Sequence, residues 1–272
     1  MRSVLALGRF MRRSNPCLLA GAVLALARSG PASAGPPFVT DDPEPAAFQR
    51  VELNMAAQAT LVKGARGGNF PNLDINYGAA SDLQLHFSLF VPLQHVRGAG
   101  TAFGYGDTEL GVKYRFIAED EEGWRPQVAL YPSLDLPTGR ASQGLGSGHD
   151  RVYLPLWLQK SVGDWQSFGG GGYWFNRAGD SRDYWFAGWA LLNKVTPHWT
   201  LGGELFHQSA DLERAPAQGG NGISTRASSG FNLGGYYNID DDRHLMFTFG
   251  RGLQNSSETN QFSVYVGYQL IL

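Results

Sequence analysis

Alternation of apolar and polar residues recurs along most of this chain, and a period of two fits a pleated strand, not a helix. Residues 83–91 read LQLHFSLFV: Leu83, Leu85, Phe87, Leu89 and Val91 point one way, Gln84, His86 and Ser88 the other. Residues 109–116 set Leu110, Val112, Tyr114 and Phe116 against Glu109, Gly111, Lys113 and Arg115. The same period places Leu134 opposite Asp135, Val152 opposite Arg151, and Val264, Val266, Tyr268 and Leu270 on one face of the last segment. It predicts twelve strands, near 50–61, 70–78, 82–94, 107–117, 126–136, 150–161, 166–176, 183–195, 199–208, 225–238, 244–251 and 261–272. Each is close to the roughly 9–11 residues a tilted strand needs to cross a bilayer. Segments 166–176 and 183–195 are too rich in glycine and aromatics for their faces to be assigned. Pro92, Pro126, Pro132 and Pro155 each remove a ladder donor and count against some of these strand boundaries.

Composition narrows the class. Charged residues make up 17% of the 272-residue chain, against about a quarter in soluble domains. The first 34 residues read as a cleaved export signal: Arg12 and Arg13, then the apolar run CLLAGAVLALA at 17–27, then Ala32-Ser33-Ala34 before Gly35. Removing them takes out Arg2, Arg9, Arg12, Arg13 and Arg28 and no acid. Seventeen basic residues then face 24 acids, and the net charge falls from −2 to −7. This excludes a strongly basic nucleic-acid binder, so no nucleic-acid partner is expected. Cys17 leaves with the signal, so stability does not rest on disulfides. No apolar run reaches the ~18 residues of a membrane helix. The six histidines show no metal-ligand spacing, and neither metal nor cofactor is expected.

Two architectures remain: an exported soluble β-protein, and a membrane barrel. Connectors decide between them. With a periplasmic N-terminus, the periplasmic links 78–81, 118–124, 162–165, 196–198 and 239–243 are short. Three links on the other side, 95–106, 137–149 and 209–224, are long; those near 62–69, 177–182 and 252–260 are moderate. Sorting of loops by length, an even strand number and aromatics near strand ends match bacterial outer-membrane barrels. The expected fold is all-β: a transmembrane antiparallel up-and-down barrel of about 12 strands over 49–272, behind a Pro-rich segment at 35–48. The expected site is the bacterial outer membrane. Expected partners are its lipid and lipopolysaccharide, the barrel-assembly machinery and a small-molecule solute.

The polar faces of the strands carry Glu52, Asp74, His86, Glu109, Lys113, Arg115, Asp135, Arg151 and Glu204, the candidate lumen lining. Glu109, Lys113 and Arg115 share one face of one strand, and with Asp135 they form either a charged constriction or a structural ion-pair ladder. Asp41, Asp42 and Glu44 lie in the Pro-rich segment, which folds back into the lumen as a plug, binds a cation, or is a solvated leader. For barrel hydrolysis the candidates are His149 with Asp150, and His207 with Glu204. Neither has a serine motif, and GLGSGHD at 144–150 lacks the strand-turn-helix setting of a nucleophile elbow. No catalytic residue is expected. Gly169 to Gly172 lack the Lys-Ser/Thr of a phosphate loop.

The last residues, YVGYQLIL, resemble the final-strand assembly signal of outer-membrane barrels at Tyr265, Gly267, Leu270 and Leu272, although such chains usually end in an aromatic residue. Further segments are GPPFVTDDPEP at 35–45, VELNMAAQAT at 51–60, NYG at 76–78, GYGDTELGVKYRF at 104–116, LDLPTG at 134–139 and GGELFHQ at 202–208. Together they resemble the outer-membrane β-barrel family catalogued under the meta-pathway of phenol degradation. That resemblance implies a channel or uptake protein for small molecules, with aromatic or hydrophobic compounds as the implied cargo. A structural or surface-interaction barrel without transport is the alternative, and a barrel hydrolase a more distant one.

Overall fold

The computed structural model describes residues 37–120, 122–176, 179, 181–211 and 225–272. The expected export signal lies outside them, as does most of the 209–224 loop. Fourteen strand segments form one antiparallel sheet: β1 Val51–Val62, β2 Ala65–Ala80, β3 Leu83–Val96, β4 Gly100–Phe103, β5 Thr108–Ile117, β6 Gln127–Leu130, β7 Ser133–Leu136, β8 Arg151–Val162, β9 Trp165–Phe175, β10 Tyr184–Lys194, β11 Trp199–Gln208, β12 Ser228–Asn238, β13 Arg243–Gln254 and β14 Phe262–Ile271. They occupy twelve wall positions of a closed barrel. β4 and β5 share one, pairing with the two ends of β3. β6 and β7 share another, both lying between β5 and β8.

The break between β6 and β7 falls at Pro132, which lacks a donor for the ladder. Its carbonyl still accepts from the Val112 N–H at 3.0 Å. Pro155 and Pro92 stay inside β8 and β3, opposite Gly172 and Asn69. The barrel closes where β1 meets β14, in register from Glu52 with Ile271 to Leu61 with Phe262. Val51 and Leu272 exchange backbone bonds of 3.1 and 2.8 Å at one end of this seam, and Gln261 donates to Leu61 at 2.8 Å at the other. Among the described strands only β4, beyond the bilayer, has a single neighbour; the wall at membrane depth is closed, which is the condition for spanning lipid.

Loop lengths differ from expectation at two places. The 62–69 link is a tight turn at Lys63 and Gly64, the latter at φ +83°. The 95–106 link continues β3 to Val96, turns, and returns as β4. Both hairpins extend beyond the length a bilayer requires. There polar stretches such as Arg66-Gly67-Gly68-Asn69 need no alternation, because water meets both faces.

The polarity of the wall is inverted relative to a soluble barrel. Leu85, Leu110, Leu154, Leu156, Trp189, Leu205, Phe249 and Val266 are exposed on the outside. Asn54, Gln84, His86, Ser88, Lys113, Asp135 and Glu204 are buried inside. Trp165 and Trp199 mark the end with the short turns, and Tyr173, Phe175 and Trp185 the other. Such aromatic belts sit at the two membrane interfaces. Strands β9 and β10 resisted face assignment because both of their faces are apolar. Phe168, Phe186, Ala190 and Leu192 point inward, while Trp189 and Leu191 point outward. The lumen therefore has a mainly apolar side at β8–β14, into which Glu204, Asn232, Thr248 and Gln269 also point, and a polar side at β1–β5.

The inversion gives a direct test. Leu156 sits mid-strand on the outer face, paired with Gly171 and Leu130. Leu156→Arg should lower the free energy of unfolding from lipid vesicles by about 2–4 kcal/mol, read by denaturant titration with heat-dependent gel mobility as the folding assay. An unchanged stability would place that face in water.

Candidate functional site

Residues 37–48 enter the lumen from the short-turn end. The segment is anchored where Phe48 bridges Gly78 and where the Gln49 N–H donates to the Gly78 carbonyl at 2.7 Å. Prolines 37, 43 and 45 keep it extended and remove donors that a buried strand would have to satisfy. From there the segment's polar groups meet polar wall groups. The Ala46 N–H donates to Gln84 Oε1 at 2.8 Å. Glu44 accepts from Arg115 Nη1 at 2.8 Å and Gln127 Nε2 at 2.6 Å. Asp41 pairs with Lys113 at 3.2 Å, and Asp42 lies 4.0 Å from the same ammonium.

Further in, the Thr40 and Val39 amides donate to the Glu204 carboxylate at 2.7 and 2.9 Å, while Asn232 Nδ2 donates to it at 2.6 Å. Thr248 donates to the Pro37 carbonyl at 3.0 Å. Phe38 joins Phe168, Leu192, Tyr236, Met246 and Tyr265 on the apolar side. Thr40 and Asp42 are 0% exposed, so this stretch fills the barrel axis at mid-height. Gly188 is required opposite it, because a Cβ there would run into Thr40 Oγ1.

A second row of candidates crosses the polar wall nearer the long-loop end. Asp74 and Glu109 flank His86, at 3.6 and 3.1 Å. Glu109 lies opposite Asp135 in the ladder, and Asp135 pairs with Arg151 at 2.5 Å. The Arg151 guanidinium rests 5.2 Å over the Trp174 ring. The structure thus separates the four residues grouped by sequence. Lys113 and Arg115 hold the N-terminal segment, whereas Glu109 and Asp135 belong to the Asp74–Arg151 row. Glu52 stands apart, with no hydrogen-bond or ion-pair partner among the described residues. Between the segment and the polar wall lies a chamber of about 520 Å³, lined by Glu52, Asn54, Asp74, Glu109, Phe38 and Tyr265 among others.

The long-loop end is narrowed by residues 137–149. Asp107 holds this loop: Oδ1 accepts from the Gly139 amide at 3.0 Å and Oδ2 from the Ser147 amide at 2.7 Å. Gln94 donates to the Gln143 carbonyl at 2.6 Å, and Leu145 is buried at 3% exposure. Gly139 is needed there because a Cβ would lie 2.8 Å from the Gly106 carbonyl carbon and 2.9 Å from Asp107 Oδ1. Asp107 was not among the sequence candidates. Its signal was an acid between glycines just before a strand, in GYGDTELG, where a carboxylate caps loop amides.

The hydrolase candidates do not assemble. His149 Nε2 meets Asn176 Oδ1 at 3.0 Å and Nδ1 meets the Ser147 carbonyl at 3.1 Å, so neither nitrogen faces the Ser147 hydroxyl. His207 bonds Ser229 and stacks on outward-facing Trp185, on the opposite face from Glu204. Among the described residues, no three His, Cys, Asp or Glu side chains gather closely enough to hold a metal ion. Of the terminal-motif residues, Tyr265 and Gly267 face inward and Leu270 and Leu272 outward. The Tyr265 ring occupies the space that a Cβ at Gly267 would take.

A closed antiparallel barrel with an apolar belt and a polar, occupied lumen defines the outer-membrane β-barrel class. Within it, the chain belongs to the family described as "Putative MetA-pathway of phenol degradation", which matches residues 51–270. Its structure is similar to the COG4313 outer membrane channel from Pseudomonas putida F1. The TM-score is 0.67 at 16% identity, covering 85% of this chain and 98% of that one. It is also similar to the NanC porin (TM-score 0.55, 10% identity, 80% and 98% covered). The KdgM porin in complex with disordered oligogalacturonate gives a TM-score of 0.51 at 13% identity, with 81% and 98% covered. No curated protein matches the chain in sequence.

The loop anchor is testable. Asp107→Ala removes a carboxylate that serves two half-buried loop amides, a loss of about 1.5–3 kcal/mol for a charged acceptor. Trypsin should then cut after Arg140 at least about tenfold faster while the barrel itself resists. Unchanged cleavage would show that the loop is held by other contacts.

Proposed function

We propose that this protein is a passive outer-membrane channel for small molecules, aromatic or hydrophobic ones included, whose resting pore is closed by its own residues 37–48. The observation that carries the reading is how the lumen is filled. The axis is occupied by a tethered segment rather than by interlocked wall side chains, and the segment is held by ion pairs and single hydrogen bonds. A purely structural barrel needs no separable plug and no chamber beside it. The apolar side of the lumen, with Phe38, Phe168, Tyr236 and Tyr265, suits an aromatic body. In the cell, the barrel-assembly machinery would insert the chain with its loop end toward the lipopolysaccharide leaflet.

The plug depends on buried charges, and removing one partner of such a pair costs about 3–5 kcal/mol because the other is left uncompensated. Lys113→Met strips the counter-charge from Asp41 and Asp42, and Glu204→Leu strips the acceptor from the Val39 and Thr40 amides. In planar bilayers, each variant should show longer and larger openings than the unaltered protein, which should conduct in brief events. Folded variants that never conduct would overturn the channel reading and leave the structural barrel in its place.

A further inference from the structure

The chamber beside the N-terminal segment has an excess of negative charge and of hydrogen-bond acceptors. Five carboxylates lie on or beside it: Asp41, Asp42, Glu52, Asp74 and Glu109. Two cations answer them. Lys113 is committed to Asp41 and Asp42. His86 is shared between Asp74 and Glu109. Even with the imidazole charged, the chamber keeps a formal surplus of three negative charges. Arg115 and Arg151 do not relieve it, since each is already engaged by acids elsewhere.

A second observation is independent of the charge. Asn54 is 2% exposed and lines the chamber; its amide donates to Asp74 at 3.1 Å, while its Oδ1 has no partner. A buried acceptor left unpaired is costly unless a donor arrives. Tyr265, also buried against the chamber, has an unpartnered hydroxyl, and its ring lies with Phe38 on the facing apolar side.

We propose that the chamber is a binding subsite for a small organic cation, a protonated amine carried on an apolar or aromatic body, with Glu52, Asp74 and Asn54 taking the ammonium and Tyr265 and Phe38 the body. An ammonium supplies both missing elements, positive charge and N–H donors. An aromatic ring beside it adds cation–π attraction. A bare metal ion does not fit, because the carboxylates are dispersed along β1, β2 and β5 rather than gathered. An anion meets uncompensated negative charge. The inference rests on the channel reading only in that a solute must reach the lumen.

Binding separates the two. Purified folded protein in detergent is titrated calorimetrically with benzylammonium, benzyl alcohol and benzoate. Benzylammonium should bind at least about tenfold tighter than benzyl alcohol, and benzoate should not bind, one charge-assisted hydrogen bond being worth about that factor. Glu52→Gln and Asp74→Asn, each nearly isosteric, should each weaken benzylammonium about tenfold and leave heat-dependent gel mobility unchanged. If Asp74→Asn misfolds, Glu52→Gln alone decides, because that side chain has no structural partner to lose. Equal binding of amine and alcohol, or amine binding indifferent to Glu52→Gln, overturns the subsite. Amine binding by a barrel that never conducts upholds the subsite and removes the channel; conductance without amine preference does the reverse.

Discussion

Every backbone amide and carbonyl of this chain that lies at membrane depth must find its partner within the protein, because lipid offers none. The seam between β1 and β14 meets that demand, and the rest of the structure follows from it. Once the sheet closes, only one of its faces can meet lipid. The apolar face turns outward, and every polar residue of the alternation is enclosed. Ordinary core packing is then unavailable on the β1–β5 side. What stabilises that side is hydrogen bonding among Asn54, Asp74, Asn76, Gln84 and Ser88.

Enclosure also sets the electrostatic problem that the N-terminal segment helps to solve. Lys113 and Arg115 are half to fully buried on the wall, and alone they would face a large desolvation cost. Asp41, Asp42 and Glu44 bring the counter-charges from a segment that belongs to no strand. In turn, Glu204 accepts the backbone donors that the segment cannot satisfy internally. Plug and wall are therefore complementary in charge and in hydrogen bonding. Shape adds to this where Phe38 fills its apolar niche and where Thr40 sits against Gly188. That complementarity holds the segment in place. The same enclosure leaves Glu52 and the Asn54 carbonyl unanswered, which gives the chamber its character.

Much of the architecture was legible in the residues. The period of two at Leu83–Val91 and Leu110–Phe116 located strands to within a residue or two, and Pro132 marked the break in the fifth. Two-sided strands were not legible. At Phe168, Phe186 and Leu192 the lumen is apolar too, so alternation disappears. Hairpins beyond the bilayer, such as Ala65–Asn69, escaped because water on both faces removes the reason for a pattern. Asp107 was missed because a loop anchor has no periodicity at all; it is defined by which amides the fold brings to it.

Sequence by itself determined that this chain makes amphipathic strands of membrane-crossing length after a short acidic, proline-rich segment. Those properties are local, and each is set by neighbours two residues apart. Only the tertiary structure decided which face is inside, because alternation is symmetric and closure is not. Tertiary structure likewise split Glu109 and Asp135 from Lys113 and Arg115, although Glu109, Lys113 and Arg115 share one strand face. Barrel tilt carries successive inward residues of a strand to different depths, and each then takes the partner its depth provides. Asp41 and Lys113 lie far apart in the chain, and nothing local pairs them. They meet because the barrel offers the leader a single polar groove in which its charges are answered.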